Sequence, residues 1–471
     1  MSFDFRELLN SKIDKRESLY NRYLNSQLLK VLKTIDFDVT YTKGYGCYLE
    51  DLNSNRYLDF LSGFGVFALG RNHPVVKQNL IAAINEDLPN LVQMEASVMP
   101  ALLAEKLVEV VNAFPVKQSG TNSSLTKVFF TNSGAESVES AIKFAKAFTK
   151  KDRIIYFNHA FHGLTTGAIS VNGSNEFKTG FGKLLNTTMV EFGSVGAVEK
   201  ELRAADVAAV IIEPIQGKGV FEAQLDYYIE LEEICRKYST LLIADEVQTG
   251  LGRTGKWFCF QHYGINPDIV TVSKALSAGF IPVGAMICSK EIFDSVYSKM
   301  ERAMVHSSTF GQNHLAMVAG LTVLNVIEEE NILENVNTVG SYLNEKLTII
   351  KDETDIIKEV RQRGLIVGIE FKEPKSFIAK SRFKLLESAK KGLFSQLIVG
   401  PLFSKHKILT QVAGENMNII KLLPPLIVNK EQVDYFIEAF KDVIEDAGSS
   451  STLMFDFGKK LVKGAKEYRQ I

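Results

Sequence analysis

Two apolar runs of the sequence each end in a side chain that could take part in chemistry. Residues 241–244 lead directly into Asp245, and residues 269–272 lead, through one serine, into Lys274. Short continuous apolar runs of this kind are typical of the buried strands of a parallel sheet. Because ligands of open α/β sheets lie beyond the carboxyl ends of the strands, we expect Asp245 and Lys274 to face the same crevice. A lysine amine can condense with an aldehyde there, while a carboxylate holds a positive charge nearby.

A carboxylate and a lysine in this arrangement meet the requirements of one cofactor, pyridoxal 5'-phosphate. Its aldehyde condenses with a lysine amine, and its ring nitrogen needs an anionic partner in order to stay protonated and draw electrons from the substrate. Lys274 and Asp245 would fill these two roles. Taken one at a time, each residue also fits a plain structural interpretation, in which Asp245 caps a helix and Lys274 is a solvated loop residue.

The longer string around both residues narrows the interpretation. Residues 243–255 read IADEVQTGLGRTG and residues 273–276 read SKAL, and together they closely resemble the signature of class III aminotransferases. The resemblance implies an α/β fold of type I among pyridoxal-phosphate enzymes. It also implies that Lys274 is both the tether of the cofactor and the general base, and that Asp245 is the partner of the ring nitrogen.

A predicted strand, residues 125–130, is followed by a glycine turn and a long helical run to about residue 148. Ser133, Gly134 and Ala135 lie at the start of that helix, where backbone N–H groups and the helix dipole favour an anion. Ser133 could instead be a simple helix cap. We interpret the three residues as the phosphate site, because they accompany the pair Asp245 and Lys274 and because their turn is similar to the phosphate-binding turn of the family.

The resemblance places further side chains around the cofactor. Phe161 is expected to stack on one face of the ring, with His162 beside it, and Val247 is expected to pack on the opposite face. Gln248 is expected to hydrogen-bond the ring hydroxyl. Glu213 ends another apolar run, residues 207–212, and is expected to support the groups that touch the cofactor.

A serine- and threonine-rich segment, residues 306–311, resembles the segment that family members extend across their dimer interface. Thr309 would then donate to the phosphate bound by the neighbouring subunit. The segment also fits an ordinary surface turn. If the resemblance holds, the protein is a homodimer with shared active sites.

The substrate site departs from the ornithine-handling members of the family at two positions. Those members carry a glutamate where this chain has Lys218 and an arginine where it has Lys421. A lysine cannot offer the planar fork with which arginine grips a carboxylate. We therefore expect a terminal amine or aldehyde on an apolar chain, with Phe64 and Phe67 as walls and an amino acid such as glutamate as donor.

Several alternatives remain open from the sequence. Lys218 and Lys421 could simply point to solvent. In an ornithine or acetylornithine aminotransferase, which is a further alternative, Lys421 would instead grip an α-carboxylate. An aminomutase or racemase would use the same cofactor residues. A non-enzymatic regulator is disfavoured, because residues 1–35 show no basic helix-turn-helix pattern.

Composition limits the class of protein. The chain has 471 residues, of which 46% are hydrophobic and 23% charged, and its net charge of −1 gives no general attraction to nucleic acid or acidic membranes. Its four cysteines are scattered, without metal-ligand spacing or a disulfide pattern. The charged N-terminus lacks the apolar core of a signal peptide, and no apolar run is long enough to span a membrane. We expect a cytoplasmic protein.

The elements that hold these residues form four predicted parts. Residues 1–69 are expected to form an N-terminal arm and part of a small domain, and residues 70–325 a large cofactor-binding domain with a mainly parallel sheet covered by helices. Residues 326–447 are expected to complete a smaller α+β domain. Residues 448–471 are interpreted as a linker and a helical tail.

Overall fold

A computed structural model describes residues 3–113 and 125–449 of the chain. Its strands are β1 (Tyr41–Tyr45), β2 (Tyr48–Asp51), β3 (Arg56–Asp59), β4 (Lys127–Thr131), β5 (Arg153–Phe157), β6 (Thr187–Val190), β7 (Val207–Ile212), β8 (Leu241–Asp245), β9 (Ile269–Val272), β10 (Gly284–Cys288), β11 (Ile357–Arg363), β12 (Ile366–Phe371), β13 (Ile408–Leu409), β14 (Gln411–Val412) and β15 (Ile419–Leu422).

The helices of the described ranges precede, separate and follow these strands, in places two or three in succession. They are α1 (Phe5–Lys12), α2 (Arg16–Tyr23), α3 (Ser26–Thr34), α4 (Ser62–Gly65), α5 (Pro74–Asn85), α6 (Val98–Val111), α7 (Gly134–Thr149), α8 (Thr166–Ser170), α9 (Val195–Leu202), α10 (Leu225–Lys237), α11 (Lys290–Val296), α12 (His314–Glu329), α13 (Ile332–Glu353), α14 (Phe377–Ala389), α15 (Leu393–Ser404) and α16 (Lys430–Ser449).

The largest sheet has the strand order β4-β10-β9-β8-β7-β5-β6. Neighbouring strands from β9 to β6 pair in parallel, and β10 alone runs against both of its neighbours. Strands β7, β8 and β9 are buried along their whole length, which is why their sequences are continuous apolar runs. The predicted fold class, a mainly parallel sheet covered by helices, is confirmed.

Two smaller sheets accompany the large one, and the first of them joins strands from both ends of the chain. One joins β1, β2 and β3 to β13, and β13 pairs in parallel with β3. The other has the order β11-β12-β15-β14, with antiparallel neighbours. The antiparallel sheet and helices α13 to α16 correspond to the smaller α+β part expected near the C-terminus.

The exact domain limits stay a prediction. The last described helix, α16, runs to Ser449, so the start of the expected linker at residue 448 lies within it. The rest of the predicted tail, residues 450–471, lies outside the described residues. Over the ranges that the structure describes, no helix is both long enough and apolar enough to cross a membrane.

Candidate active site

The carboxyl ends of β8 and β9 lie side by side, as the sequence predicts. Asp245 is paired in register with Thr271, three residues before Lys274. The Asp245 carboxylate is buried, and its Oδ1 accepts hydrogen bonds from the backbone of Val247 (3.1 Å) and from Thr271 Oγ1 (3.0 Å). Its Oδ2 lies 2.6 Å from His162 Nδ1. Three neighbours therefore fix the orientation of this carboxylate.

Lys274 begins a short 3-10 helix, Lys274–Ser277, immediately after β9. Its backbone has φ +36°, in the left-handed region that a non-glycine residue adopts only at a cost of about 1–3 kcal/mol. Burial lowers the pKa of the Lys274 amine, although the charges of Asp245 and Glu213 oppose the shift. A lowered pKa favours the neutral amine, which is the form that condenses with an aldehyde and accepts a proton.

The turn between β4 and α7 has the features of an anion site. The hydroxyl of Ser133 caps the helix by accepting from the backbone of Glu136 at 3.2 Å. Gly134 and Ala135 begin the helix, so helix geometry leaves their N–H groups without an intrahelical acceptor. A Cβ added at Gly134 would lie 2.8 Å from Val247 Cγ1, so the turn and the end of β8 form a narrow cleft that only glycine permits.

Glu213, at the end of β7, holds two backbone segments of the site. Its Oε1 accepts from the backbone of Phe161 (2.8 Å) and its Oε2 from the backbone of Gly217 (2.7 Å). Burial raises the pKa of this carboxyl group. Glu213 therefore supports Phe161 from behind, in agreement with the position expected from the sequence. The Phe161 ring is partly exposed and lies 5.5 Å from the Phe177 ring, edge to face.

Lys421 is not a solvated lysine. Its side chain lies on β15 with a relative exposure of 5%, and its Nζ donates to the carbonyl of Gly217 at 2.6 Å and to Gln248 Oε1 at 3.2 Å. Burial lowers the pKa of Lys421 to about 7, and the nearby charge of Lys274 acts in the same direction. The Gln248 amide in turn donates to the carbonyl of Phe64 at 3.1 Å. Gln248, which is predicted to bind the cofactor, thus also links Lys421 to the segment that carries Phe64.

Lys218 has a different environment from Lys421. Its Nζ lies 4.2 Å from the centroid of the Phe177 ring and 5.7 Å from that of the Phe161 ring. Burial lowers the pKa of Lys218, while the carboxyl groups of Glu176, Glu213 and Glu415 oppose the shift. The ammonium group is therefore held against aromatic faces at the edge of the site.

The two predicted wall residues are held in different ways. Phe64 has φ +60° in a run of left-handed residues, 62–65, and it is 56% exposed. Phe67 is packed: a Cβ at Gly279 would lie 2.3 Å from its ring, and the Arg71 guanidinium covers it with Cζ 3.6 Å from the ring centroid. Arg71 also donates twice to the fully buried Asp59, at 3.0 and 2.8 Å. Residues 62–71 thus pack against the loop that follows Lys274.

Thr309 is exposed. Among the described residues, it forms no hydrogen bond with the turn at residues 133–135. Its carbonyl accepts from Gln93 Nε2 at 3.0 Å, and the adjacent Ser308 hydroxyl accepts from Asn132 Nδ2 at 2.9 Å. The segment borders a cavity of about 410 Å³ that also involves His306 and His314.

Two features of the site could not be found from the sequence. The first is the contact between His162 and Asp245, which are 83 residues apart. The second is Arg253, a buried guanidinium that donates to the carbonyls of Leu365 (3.0 Å) and Pro424 (2.5 Å). Burial lowers the pKa of Arg253 to about 9. Arg253 lies within the recognised string, but nothing local indicates that it reaches the C-terminal sheet.

The residues present fit pyridoxal 5'-phosphate. A carboxylate with a fixed orientation, a buried-site amine of lowered pKa and a glycine cleft at a helix N-terminus lie at neighbouring strand ends. Together with the mainly parallel sheet, this arrangement defines a type I pyridoxal-phosphate enzyme. The chain belongs to the class III aminotransferases, because the family model described as aminotransferase class-III matches residues 32–444. The family that the sequence resembles is confirmed, and with it the cofactor and the enzyme class.

Relatives among characterised proteins agree with this assignment. The chain is 38% identical over 409 residues to the acetylornithine aminotransferase of Bacillus cereus, which covers 86% of this chain and 95% of that protein. It is 32% identical over 459 residues to aminotransferase PigE of Serratia sp., which covers 91% of this chain. The chain spans only about half (53%) of the length of PigE.

Solved structures with the same fold include an ornithine aminotransferase and an omega transaminase. The ornithine aminotransferase of Toxoplasma gondii ME49 superposes with a TM-score of 0.74 at 27% identity, covering 86% of this chain and 90% of that one. A thermostable omega transaminase mutant from Pseudomonas jessenii superposes with a TM-score of 0.76 at 26% identity, covering 90% and 96%.

Proposed function

We propose that this aminotransferase moves an amino group from an amino acid, with glutamate as the first candidate, to an aldehyde or ketone at the end of an apolar chain. The observation that carries the proposal is the pair Lys218 and Lys421. The Lys421 amine is buried and bound to two neutral oxygens, and Lys218 lies against aromatic rings. Neither offers the bidentate fork that selects an α-carboxylate, so a strict α-amino-acid specialist fits poorly.

Each site residue has a proposed task. When bound, pyridoxal 5'-phosphate supplies the carbonyl group that takes up the substrate amine and a ring that withdraws electrons. Lys274 holds the cofactor and moves a proton at the substrate carbon with its Nζ. Asp245 holds the proton on the ring nitrogen, and the N–H groups of Gly134 and Ala135, with the Ser133 turn, bind the phosphate.

The remaining residues orient the ring and the substrate. Phe161 and Val247 lie against the two faces of the ring, and Gln248 donates to or accepts from the ring hydroxyl. His162 holds Asp245 in place, and Glu213 holds Phe161 in place. Exposed Phe64 borders the apolar part of the substrate. Lys421 meets the carboxylate of the amino acid donor, because its buried Nζ lies 3.2 Å from Gln248 Oε1 and so reaches the site.

We also propose a homodimer with shared active sites. Large apolar side chains are exposed at the cavity beside Thr309 or next in sequence to its lining residues: Met304 (72%) lines it, and Met94 (94%) and Phe310 (60%) adjoin lining residues. An exposed apolar surface of this kind usually marks a contact with another protein. A second copy seated there would bring its own Thr309 toward the phosphate turn. The cytoplasmic location that the separate, buried thiols suggest stays a prediction.

Ornithine or acetylornithine aminotransferase is the second candidate, because relatives with those names match most of this chain. A panel of amino donors paired with aliphatic aldehydes, semialdehydes and 2-oxo acids separates the two. We expect the aliphatic carbonyl compounds to be the better acceptors. Much faster reaction of ornithine or N-acetylornithine would overturn the substrate proposal, and product analysis would reveal an aminomutase or racemase.

The assignment of Lys274 is tested independently of the substrate. The purified protein should be yellow, and borohydride reduction should attach the cofactor mass to the peptide that contains Lys274. A label on another lysine contradicts the assignment. The Lys237→Met variant serves as the control. It changes an exposed lysine at the end of α10 that pairs with Glu199 of α9, and it should label like the unmodified protein.

A further inference from the structure

An aminotransferase admits two substrates in turn to one site. If the proposed function is correct, one of them carries an α-carboxylate and the other presents an apolar chain at the same place. A permanent positive charge would attract the carboxylate of the first substrate. When the apolar substrate is bound, that charge would have no partner, and a buried unpaired charge is costly. A group whose charge depends on the bound substrate would avoid this cost.

Lys421 has the hydrogen-bonding geometry of such a group. Its Nζ has two acceptors, the Gly217 carbonyl at 2.6 Å and Gln248 Oε1 at 3.2 Å, and both are neutral. A neutral amine has two N–H donors, and these two contacts use both of them. A protonated amine has a third donor. Because no carboxylate of residues 3–113 or 125–449 forms an ion pair with Lys421, that third donor remains for a ligand.

The charged groups around Lys421 come from several elements, and most of them are cations. Lys274 follows β9, Lys218 follows β7 and Arg253 lies in the loop after β8; Glu213 is the carboxylate that opposes them. Both oxygens of Glu213 are already occupied by the backbone N–H groups of Phe161 and Gly217. Burial, reinforced by these cations, lowers the pKa of Lys421 to about 7. Both protonation states are therefore accessible near neutral pH.

We propose that Lys421 is a proton-coupled specificity residue: it is protonated while a substrate carboxylate is bound, and it releases that proton to solvent when an uncharged carbonyl acceptor occupies the site. Binding of a carboxylate takes one proton from solvent to the Lys421 amine, and no covalent bond other than N–H is formed or broken. An arginine at this position would keep its charge in both states. The substitution of arginine by lysine thus has a function of its own.

Calorimetry with an unreactive ligand tests the inference directly. Glutarate, a dicarboxylate without an amine, is titrated into the holoenzyme at pH 8 in two buffers that differ in ionisation enthalpy, with its uncharged diamide as the reference ligand. We expect uptake of about one proton per glutarate and none for the diamide. The affinity for glutarate should fall about tenfold per pH unit above pH 7.

Variants at position 421 identify the group that takes up the proton. Lys421→Arg should bind glutarate without proton uptake and with an affinity that is nearly constant above pH 7. Lys421→Met should bind it at least about tenfold more weakly at pH 6.5, since a charge-assisted contact is lost. Lys237→Arg, on exposed α10, should behave like the unmodified protein.

Two outcomes would overturn the inference. One is proton uptake that persists in Lys421→Arg or Lys421→Met, since the proton then goes elsewhere; the absorption spectrum recorded during titration reveals whether it goes to the cofactor. The other is the absence of uptake in the unmodified protein. Neither outcome depends on which acceptor reacts best, so a failure of the proposed substrate class is distinguishable from a failure of the proton-coupled role of Lys421.

Discussion

The Nδ1 atom of His162 lies 2.6 Å from Oδ2 of Asp245, and both side chains are buried. Burial acts to lower the pKa of His162, but the hydrogen bond and the charge of Asp245 outweigh it, so that this pKa is raised. The contact joins the segment after β5 to the end of β8. His162 therefore holds the carboxylate that we assign to the cofactor ring nitrogen.

Replacement of His162 by Phe should leave Asp245 with fewer partners and a less fixed orientation. We expect proton transfer to slow by roughly 10–100-fold while the cofactor stays bound, because supporting hydrogen bonds usually contribute that much. His162→Asn, which retains a donor near the Nδ1 position, should be less impaired. Asp245→Ala should be slower than either variant. Single-turnover absorbance measurements decide this, and a native rate in His162→Phe contradicts the assigned role.

Gly134→Ala should weaken cofactor binding, because its Cβ would lie 2.8 Å from Val247 Cγ1. Either the phosphate turn or Val247 has to move, and we expect about a tenfold higher Kd for the cofactor, or about 1.4 kcal/mol. Gly196→Ala on α9 is the matched control, since a Cβ there has open space. Equilibrium dialysis of both apoproteins measures the effect. Equal affinity in the two variants would show that the cleft does not bind the phosphate.

The shared active site can be tested by complementation. Lys274→Ala and Thr309→Ala proteins should each be impaired, but their mixture under subunit-exchange conditions should regain activity. Each mixed dimer contains one site with Lys274 from one chain and Thr309 from the other. We expect this gain to require exchange, so mixing without exchange is the control. An active, cofactor-loaded monomer in light scattering would refute the proposed dimer.

Arg71→Met should make the position of Phe67 less fixed. The substitution removes the ion pair with buried Asp59 and the contact of the guanidinium with the Phe67 ring. We expect a stability loss of about 1–3 kcal/mol from the unpaired carboxylate. The KM for the carbonyl acceptor should also rise more than kcat falls. Arg71→Lys should recover part of the stability but less of the KM, because lysine lacks the planar fork. An unchanged KM in both variants contradicts a role in positioning Phe67.

Local sequence was sufficient to predict the strand-end pair, and the family resemblance of the string around that pair supplied the fold class. A buried parallel strand has to be continuously apolar, and the polar residue that follows it has to lie at the ligand-binding edge, so β8 and β9 could be recognised from their own residues. The glycine turn before α7 is equally local, because helix geometry alone exposes its N–H groups. The Glu213 position after β7 follows from the same pattern.

The state of Lys421 was decided only by tertiary structure. From the sequence it could equally have been a solvated lysine, because its acceptors lie on segments 204 and 173 residues away. The same holds for His162 beside Asp245 and for Arg253 beneath the C-terminal sheet. Hydrogen-bond partners, burial and pKa values depend on which distant segments pack together, and no local pattern of residue types contains that information.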